Sequence, residues 1–354
     1  MKKVVFFLTF CLISTGLYAQ QSSLNIDKVK FFEDDSPLDV ILSMDMGKML
    51  KTKTNPVYIP ATFTCKMNDS LISEEIRIIA RGNVRREICY LPPIKLNFHN
   101  STSPTFYPLN SLKLVCPCKS GNDYDQLILK EFLTYKIYNL LTPKSYRVRL
   151  LNINYEDVGN MKKTISQHAF LIEDAKAMAK RNSCSELKKV KVKSLYTDRE
   201  QMTLVALFQY MIGNTDWGVS GNHNTSLIQS AADSSELPYV VPYDFDYCGL
   251  VNAVYAVPGE GLGINEVTQR LYRGYPRSLQ ELNDALNIFN QQKEKIYSMI
   301  NGFEALSLRA RADVIYYLDA FYKTINNPFE VNYIFVVGAK PASNSTTTFL
   351  EGGL

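Results

Sequence analysis

The residue pattern of the chain changes close to Arg199, and this change constrains the fold more than any other feature. Before it, short runs rich in β-branched and aromatic residues are broken by turns: VYIPATFTC, EEIRIIARGN, PPIKLNF and SLKLVC. Such runs predict an antiparallel sheet of short strands. After it, apolar residues recur mostly at helical spacing. The order predicts an α+β protein with a β-rich first lobe and a mainly helical second lobe.

Individual elements follow from the same patterns. LDVILSMDMGKML begins extended and becomes helical, and QLILKEFLTYKIYNLL predicts the main helix of the first half. Two further strands, YRVRLLNINYE and SQHAFLIED, complete a sheet of five or more strands. In the second half we predict helices in REQMTLVALFQYMI, VTQRLYR, LQELNDALNIFNQQKEKIYSMI and ARADVIYYLDAFYKTI, and a buried strand pair in LPYVVPYDFDYCGLV.

The first residues have the layout of a secretory signal peptide. Two lysines precede an apolar run from Val4 to Ile13, and small residues continue to Ala19. We therefore predict cleavage near Ala19 and an exported protein, periplasmic or extracellular, without a transmembrane segment. The predicted divisions are a signal peptide at 1–19, a β-rich lobe at 20–175, a connecting segment at 176–198, a mainly helical lobe at 199–335 and a flexible tail at 336–354.

Charge and cysteine content narrow the classes of partner and site. Loss of Lys2 and Lys3 with the leader lowers the basic count from 39 to 37 against 35 acidic residues, so the net charge falls from +4 to +2. No broad basic face is apparent, and we expect no nucleic-acid partner. Six cysteines follow the leader, which allows 15 full pairings. A bridge from Cys89 to Cys116 or Cys118, or free buried thiols, are the alternatives.

Acidic residues occur in two segments where an apolar run meets short polar residues. QYMIGNTDWGVSGNHNTSLI carries Asp216 at the end of a predicted helix, and VPYDFDYCG carries Asp244 and Asp246. Carboxylates in apolar strands are costly unless they meet a cation or a donor. Three carboxylates with Asn222 or Asn224 would suit magnesium, which prefers hard oxygen ligands. The alternative is that Asp216 only caps a turn.

A lysine on a strand precedes an acid on the main helix. Lys113 lies in SLKLV and Glu131 lies in LKEFLTYK. A strand lysine held by a helix glutamate is one way in which phosphoryl-transfer proteins aim an ammonium group at nucleotide phosphates. The alternative is an ordinary surface ion pair that contributes about 0 to 1 kcal/mol.

Arginines cluster in ARGNVRREICYLPPIKLNF. Arg81, Arg85 and Arg86 surround a glycine and an asparagine at a predicted strand end, where guanidinium and backbone N–H groups can bind an anion. Lys95 in the next strand is a second candidate for phosphate contact. The alternative is that Arg-Gly-Asn forms only a turn.

Other chemistries have less support. The three histidines lie far apart without zinc spacing, and neither a Gly-x-Ser-x-Gly elbow nor a Walker-type glycine loop occurs. A glycosidase carboxylate pair usually works beside aromatic platforms, and the chain has a single tryptophan, Trp217.

The order of these motifs resembles that of protein-kinase-like folds. RGN, GNTDWGVSGNHNTSLI and VPYDFD are similar to elements of atypical kinase-like proteins of the spore-coat protein H type. They also look like a broad group of exported bacterial proteins of unknown function, with RGNxRR, PPIKLNF, LKLV, GNTDW and PYDFD elements. The resemblance spans about Leu38 to Gly274. It implies a two-lobed protein-kinase-like fold, with a β-rich N-lobe that holds one main helix and a mainly helical C-lobe.

The resemblance also implies roles for the acidic residues and their asparagine. Asp216 would orient or deprotonate the acceptor hydroxyl, and Asn224 would hold a metal. Asp244, alone or together with Asp246, would carry the magnesium that bridges the phosphates. In ordinary kinases five residues separate the aspartate from its asparagine; here the spacing is eight, which leaves Asn222 open.

The nucleotide contacts implied by the resemblance lie mostly in the first half. Lys113, positioned by Glu131, would neutralise the α and β phosphates. Glu173 in LIED would lie at the adenine-facing joint, and Arg81 and Lys95 are the further phosphate candidates. The implied cofactors are magnesium and ATP or another nucleotide. No Gly-x-Gly-x-x-Gly loop covers the phosphates, so RGNVRR would substitute for it.

Two functions follow as hypotheses. The first is an exported kinase-like phosphotransferase that acts on a protein or glycan hydroxyl. The second is a non-catalytic, pseudokinase-like envelope protein that binds a ligand or partner in the same inter-lobe cleft. The second hypothesis is motivated by location, because little ATP is present outside the cytoplasm.

Overall fold

The computed structural model describes residues 31–67, 70–82, 84–103, 106–159 and 161–339. The predicted signal peptide lies outside the described residues, as does the predicted tail from residue 340 onward. Among the helices that are described, none combines the length and apolar character that a membrane crossing requires.

Seven strands from the first half close into a barrel. They are β1 (Leu38–Met44), β2 (Ile59–Met67), β3 (Ser70–Ala80), β4 (Ile94–Asn97), β5 (Ser111–Val115), β6 (Val148–Asp157) and β7 (Ile165–Ile172). Their order around the barrel is β1-β2-β3-β4-β5-β7-β6. All neighbours are antiparallel except β1 and β6, which pair in parallel and complete the ring. The predicted strands are therefore present, and the sheet that they form is closed.

Alternating apolar residues fill the barrel. In β1 every second side chain from Leu38 to Met44 is buried, as the two-residue period of a strand requires. Three aromatic rings, those of Phe63, Phe98 and Phe106, pack with centroids 5.3 to 5.5 Å apart. These residues belong to a core that lies inside the barrel.

Three helices accompany the barrel, and one of them belongs to a second core. The helices are α1 (Met46–Thr52), α2 (Val84–Ile88) and α3 (Asn122–Leu141). The α3 helix packs on the outer faces of β6 and β7, where Phe132 and Tyr135 contact Phe170. The start of β6, from Val148 to Leu151, and the end of β7, from Ala169 to Ile172, are thus buried on both faces, one in each core.

The second half is mainly helical and shares its core with α3. Its helices are α4 (Ala175–Arg181), α5 (Arg199–Ile212), α6 (Leu279–Gly302), α7 (Leu308–Ile325) and α8 (Pro328–Asn332), followed by a π-helical turn at Tyr333–Val337. A small sheet with the order β10-β9-β8 contains β8 (Cys184–Leu187), β9 (Thr225–Ser230) and β10 (Tyr239–Pro242). The segment 176–198, predicted as a connection, contains most of α4, all of β8 and one turn of 3₁₀ helix at Ser194–Tyr196.

Two predicted elements of the second half are wrong. VTQRLYR is not helical. Instead, Arg270 donates hydrogen bonds to the carbonyl oxygens of Met211 and Tyr317, which anchor this segment to other elements. LPYVVPYDFDYCGLV contains the single strand β10, which pairs with β9, a strand that the pattern did not indicate. The chain turns after Pro242 because Asp244 adopts a left-handed conformation with φ 65°.

One disulfide joins the segment after α2 to the segment after β5. Cys89 is bonded to Cys118, which is one of the pairings left open by the sequence. Cys65, Cys116, Cys184 and Cys248 are free thiols, and all four are buried.

Candidate functional site

The β9–β10 hairpin places two of the predicted site segments side by side. Asn224 immediately precedes β9 and Tyr243 immediately follows β10. Pro242 pairs with Thr225 in the register, and the Tyr243 N–H donates to the Asn224 carbonyl oxygen at 3.0 Å. Asp244 therefore lies next to the loop that contains Asp216 and Asn224.

The Asp216 loop is held together by its own short polar side chains. The α5 helix ends at Gly213, whose φ of 66° reverses the chain in a region that favours glycine. The Asn214 Oδ1 accepts from the Asp216 N–H at 2.9 Å. Asn224 Nδ2 donates to the Asp216 carbonyl at 2.8 Å and to Oδ2 at 3.0 Å, and His223 Nε2 lies 2.6 Å from Oδ1. The Asp216 carboxylate is thus fixed, yet 38% of its side chain stays exposed.

The two candidate asparagines differ in the contacts that they make. Both have left-handed backbones, with φ 52° at Asn222 and φ 51° at Asn224. Asn222 Nδ2 donates to the Val190 carbonyl at 3.0 Å, on another segment. Asn224 alone of the two bonds to Asp216.

Arg273 supports the Asp216 loop and was missed by the sequence reasoning. Its Nη1 donates to the carbonyl oxygens of Thr215 and Trp217, the latter at 2.9 Å. Its guanidinium lies over the Trp217 ring, 5.6 Å from the centroid. Because it sits in a stretch that was predicted to be an ordinary helix, no signal in the sequence marked it.

Asp244 is anchored to the main helix of the first half. Its backbone N–H donates to Tyr135 Oη at 2.8 Å. The next residue, Phe245, packs its ring 4.6 Å from that of Tyr135 and 5.5 Å from that of Phe208 on α5. The loop after β10 is therefore fastened to α3 on one side and α5 on the other.

Three basic residues of the barrel face the acidic side. Lys113 on β5 pairs with Lys95 on β4, and Arg81 follows β3 directly. Lys113 Nζ lies 4.4 Å from the centroid of the Tyr243 ring. Surrounding protein and then the charge of Arg81 lower the pKa of Lys113, whereas Asp244 opposes that shift. Lys113 is nevertheless exposed to solvent, so a ligand can reach it from outside.

A group of buried charges lies close to Asp244. Glu131 on α3 is 1% exposed, and no described residue donates a hydrogen bond to either of its carboxylate oxygens. Asp246 Oδ2 lies 3.6 Å from Arg85 Nη1 and accepts from Tyr255 Oη at 3.1 Å. Burial and then Asp244 raise the pKa of Asp246 to about 6. Burial and then Asp246 raise the pKa of Glu131 well above its usual value.

The predicted pair of Lys113 with Glu131 is not formed. Within the described residues, no hydrogen bond or ion pair joins the two side chains; Glu131 instead interacts electrostatically with Asp246 and Arg85. Lys113 is held against the Tyr243 ring and interacts with Asp244. Both side chains nevertheless interact electrostatically with Asp244, although not with each other through a hydrogen bond or ion pair.

Glu173 uses its side chain inside the protein. It is 3% exposed and forms an ion pair with Arg181 Nη2 at 2.9 Å. The Arg181 Nε and the Arg147 N–H also donate to its carboxylate, at 3.2 and 3.0 Å. Both oxygens of the Glu173 carboxylate therefore accept hydrogen bonds from within the protein.

The donor set fits a magnesium ion that keeps several of its waters. Among the residues that the structure describes, no three His, Cys, Asp or Glu side chains group closely enough to hold a metal by themselves. Asn224 and Asp244 nevertheless lie at the same end of the β9–β10 hairpin and both carry hard oxygen atoms, and magnesium commonly uses one or two carboxylates plus substrate phosphates. The buried carboxyl group of Glu131, whose oxygens have no hydrogen-bond partner among the described residues, lies close to Asp244.

A cavity of about 490 Å³ lies elsewhere, on the outer side of β6 and β7 beside the start of α3. It contains none of the predicted site residues. Four of its polar side chains are paired with one another: Asn152 with Asp39 at 2.8 Å, and Ser166 with Asn154 at 2.6 Å. We therefore assign the candidate site to the convergence of charged residues and not to this cavity.

Comparisons with known proteins give a distant structural likeness. No protein-family model matches the chain, and no curated protein matches it. A crystal structure of a Helicobacter pylori proinflammatory kinase, CtkA, is similar with a TM-score of 0.34 and 13% identity, over 74% of this chain and 87% of that chain. A TM-score this low leaves the function to be argued from the site itself.

Proposed function

We propose that this protein is an exported, kinase-like phosphotransferase that uses a magnesium nucleotide to phosphorylate a protein or glycan hydroxyl. The observation that carries the proposal is the convergence of Asp216, Asn224 and Asp244 at one end of the β9–β10 hairpin, opposite Lys113. Phosphoryl transfer needs positioning and charge neutralisation more than covalent catalysis, and this arrangement offers both.

The acidic side would handle the acceptor and the metal. Asp216 is fixed by Asn224 and His223 but remains accessible, as a residue that orients or deprotonates an acceptor hydroxyl must be. Asn224 and Asp244 would hold the magnesium, with Asp246 behind them. When bound, the metal would neutralise charge on the phosphates.

The barrel side would hold the phosphates. Lys113 on β5 pairs with Lys95 on β4, and Arg81 directly follows the neighbouring strand β3, so three positive charges come from one region of the barrel. In this reading the barrel is the N-lobe of a two-lobed kinase-like fold, and Glu173 lies at its joint to the second lobe. Each cationic group would contact phosphate oxygens as a point charge or a fork.

A non-catalytic envelope protein is the second candidate, and one observation favours it. Glu131 has no hydrogen-bond donor among the described residues and does not pair with Lys113, whereas active protein kinases require such a lysine–glutamate pair. The same cleft would then bind a nucleotide or another anion without turnover.

Thermal unfolding with magnesium and several nucleotides tests for the site. Ligand at about 100 times its Kd stabilises a protein by about 2.7 kcal/mol. We expect such stabilisation for the mature protein, its loss in Asp244→Ala, and its retention in Asp233→Ala, a matched change at an exposed turn. Absence of any shift at millimolar nucleotide contradicts the proposal.

Turnover is measured separately, as phosphate incorporation into protein or glycan acceptors. We expect incorporation by the wild type and its loss in Asp216→Ala. Nucleotide binding without incorporation into any acceptor favours the second candidate. Incorporation that persists in Asp216→Ala removes that residue from its proposed role.

A further inference from the structure

Helix α2 and the residues after it are fastened to the protein from several sides. Cys89 is bridged to Cys118, and the Tyr90 N–H donates to the Cys118 carbonyl at 2.9 Å. Lys53 Nζ donates to the carbonyl oxygens of Cys89 at 2.8 Å and Glu87 at 3.0 Å. A five-residue helix has little stability of its own, so these attachments define its position.

One side chain of this helix enters the buried charges behind the cleft. Arg85 is 12% exposed at its side chain, and its Nη2 donates to the Cys116 carbonyl. Its Nη1 lies 3.6 Å from Asp246 Oδ2, and Asp246 is itself 7% exposed at its side chain. Arg85 also interacts with Glu131.

The contacts of Asp246 indicate what Arg85 does there. A folded protein loses much stability when a buried carboxylate loses its only charged partner. Within the described residues, the ion pair of Asp246 is with Arg85, and its other polar partner is the neutral Tyr255 hydroxyl. Lys113 interacts with Asp244 and forms no ion pair with Asp246 among the described residues.

We propose that Arg85 is a positioning residue that holds Asp246, and through it the loop of Asp244, and that the Cys89–Cys118 disulfide holds Arg85 in place. The expected consequence is that an intact bridge favours magnesium-nucleotide binding. This consequence rests on the proposed function. The pairing of Arg85 with Asp246 itself is tested without any ligand.

The ligand-free test is a double-mutant cycle of Arg85→Met and Asp246→Asn, followed by thermal unfolding. Breaking a buried pair from the arginine side lowers Tm by about 6 °C or more. We expect Arg85→Met to show this loss and the double variant to recover at least half of it, because no uncompensated carboxylate remains. Losses that simply add would overturn the pairing.

Conservative and distant changes keep the cycle interpretable. We expect Arg85→Lys, which keeps the charge, to lose less than half as much Tm as Arg85→Met. Arg147→Met removes an arginine whose side chain pairs with exposed Glu33, and we expect a change within about 2 °C. If Arg85→Met does not fold, Arg85→Lys is compared with Arg85→Lys, Asp246→Asn; we expect the added Asp246→Asn to lower Tm further, because the lysine loses its charged partner, and an unchanged or higher Tm would overturn the pairing.

The bridge is tested by Mg-ATP affinity. We expect Cys89→Ser, Cys118→Ser to raise the Kd about 10-fold, as loss of a supporting contact around a metal site does. We expect no further rise when Arg85→Met is added to that pair of substitutions, and an unchanged Kd in Cys184→Ser. Independent, multiplying effects of Arg85 and the bridge would overturn the second part of the proposal. If the wild type binds no Mg-ATP, the proposed function fails, and the Arg85–Asp246 pairing stands or falls on the ligand-free cycle.

Discussion

The Asp216 loop and the buried charges around Asp246 form two sides of one candidate site, yet they are built in opposite ways. Asp216 is partly exposed, and its carboxylate and backbone are bonded to residues no more than eight positions away in sequence. Asp246 and Glu131 are buried, and their charged neighbour Arg85 comes from a distant part of the chain. The loop is complete without a ligand, whereas both oxygens of Glu131 lack a donor among the described residues.

This difference indicates how each side responds to change. A locally bonded, solvent-accessible loop has little to lose in stability when one polar group is replaced. A buried group of charges has a great deal to lose, because each member compensates another in a poorly hydrated environment. The exposed side should therefore report on function, and the buried side on stability.

The largest effect is expected from Asp216→Asn on turnover. Loss of a general base lowers rates by about 10² to 10⁴-fold. The amide preserves the shape of the loop, so we expect the free energy of unfolding to change by less than about 1 kcal/mol. Phosphate incorporation and urea unfolding measure the two quantities, with Asp233→Asn as the control. A large loss of stability would break the contrast between the two sides.

A smaller effect, on stability, is expected from Tyr135→Phe. The Tyr135 hydroxyl accepts the Asp244 N–H, and its removal leaves a donor that has lost this acceptor. The expected loss is about 1 to 3 kcal/mol in the free energy of unfolding. Tyr316→Phe, at a tyrosine that is 81% exposed, should change it by less than about 0.5 kcal/mol. Equal effects at the two tyrosines would contradict the anchoring of Asp244 by α3.

Glu131→Gln should separate stability from binding on the buried side. Burial raises the pKa of Glu131, so its charged form is disfavoured, and a neutral amide should leave stability unchanged or raise it by about 1 kcal/mol. Mg-nucleotide binding should weaken in the same variant. Thermal unfolding with and without ligand measures both, and Glu260→Gln at an exposed loop is the control. A clear loss of ligand-free stability would mean that Glu131 is ionised and compensated.

The smallest effect is expected from His223→Gln on the exposed side. The hydrogen bond to Asp216 raises the pKa of His223, so the folded protein binds this proton more tightly than the unfolded chain. That stabilisation is fully present below pH 6.5 and is lost as the pH rises through the raised pKa of the folded state. Because the imidazole is half exposed, we expect only about 0.5 kcal/mol.

Unfolding at pH 6 and pH 9 measures this contribution. The wild type should exceed His223→Gln at pH 6 and match it at pH 9. His99→Gln, at another exposed histidine, serves as the control. A difference that grows with pH has the wrong sign and would exclude the Asp216 pairing as its source.

The sequence was informative where contacts are local or periodic. Strand alternation and helical spacing predicted the barrel strands, α3 and the long helices α5 to α7. The nearness of Asp216 to Asn224 follows from one short loop, although the choice of Asn224 over Asn222 depended on the hairpin register. Whether the residues predicted as nucleotide and metal contacts act as such stays a prediction.

Contacts between distant segments could not be predicted in the same way. The pairing of β1 with β6, which closes the barrel, joins strands separated by more than a hundred residues. Nothing in RGNVRR showed that Arg85 would turn inward, or that Lys113 would pack on Tyr243 instead of meeting Glu131. Arg273 was hidden in a stretch whose apolar spacing imitates a helix. These choices are made by tertiary packing, which residue patterns report only indirectly.

The position of α3 has a consequence for how the molecule assembles. Most of its buried side chains belong to the core that α5 and the later helices complete, not to the interior of the barrel. During synthesis all the barrel strands can emerge and pair while the apolar face of α3 is still exposed, because the helices that cover it are made later. A fragment that ends near residue 175 should therefore expose this apolar face and self-associate. In the whole chain, the two halves should unfold together in one cooperative transition.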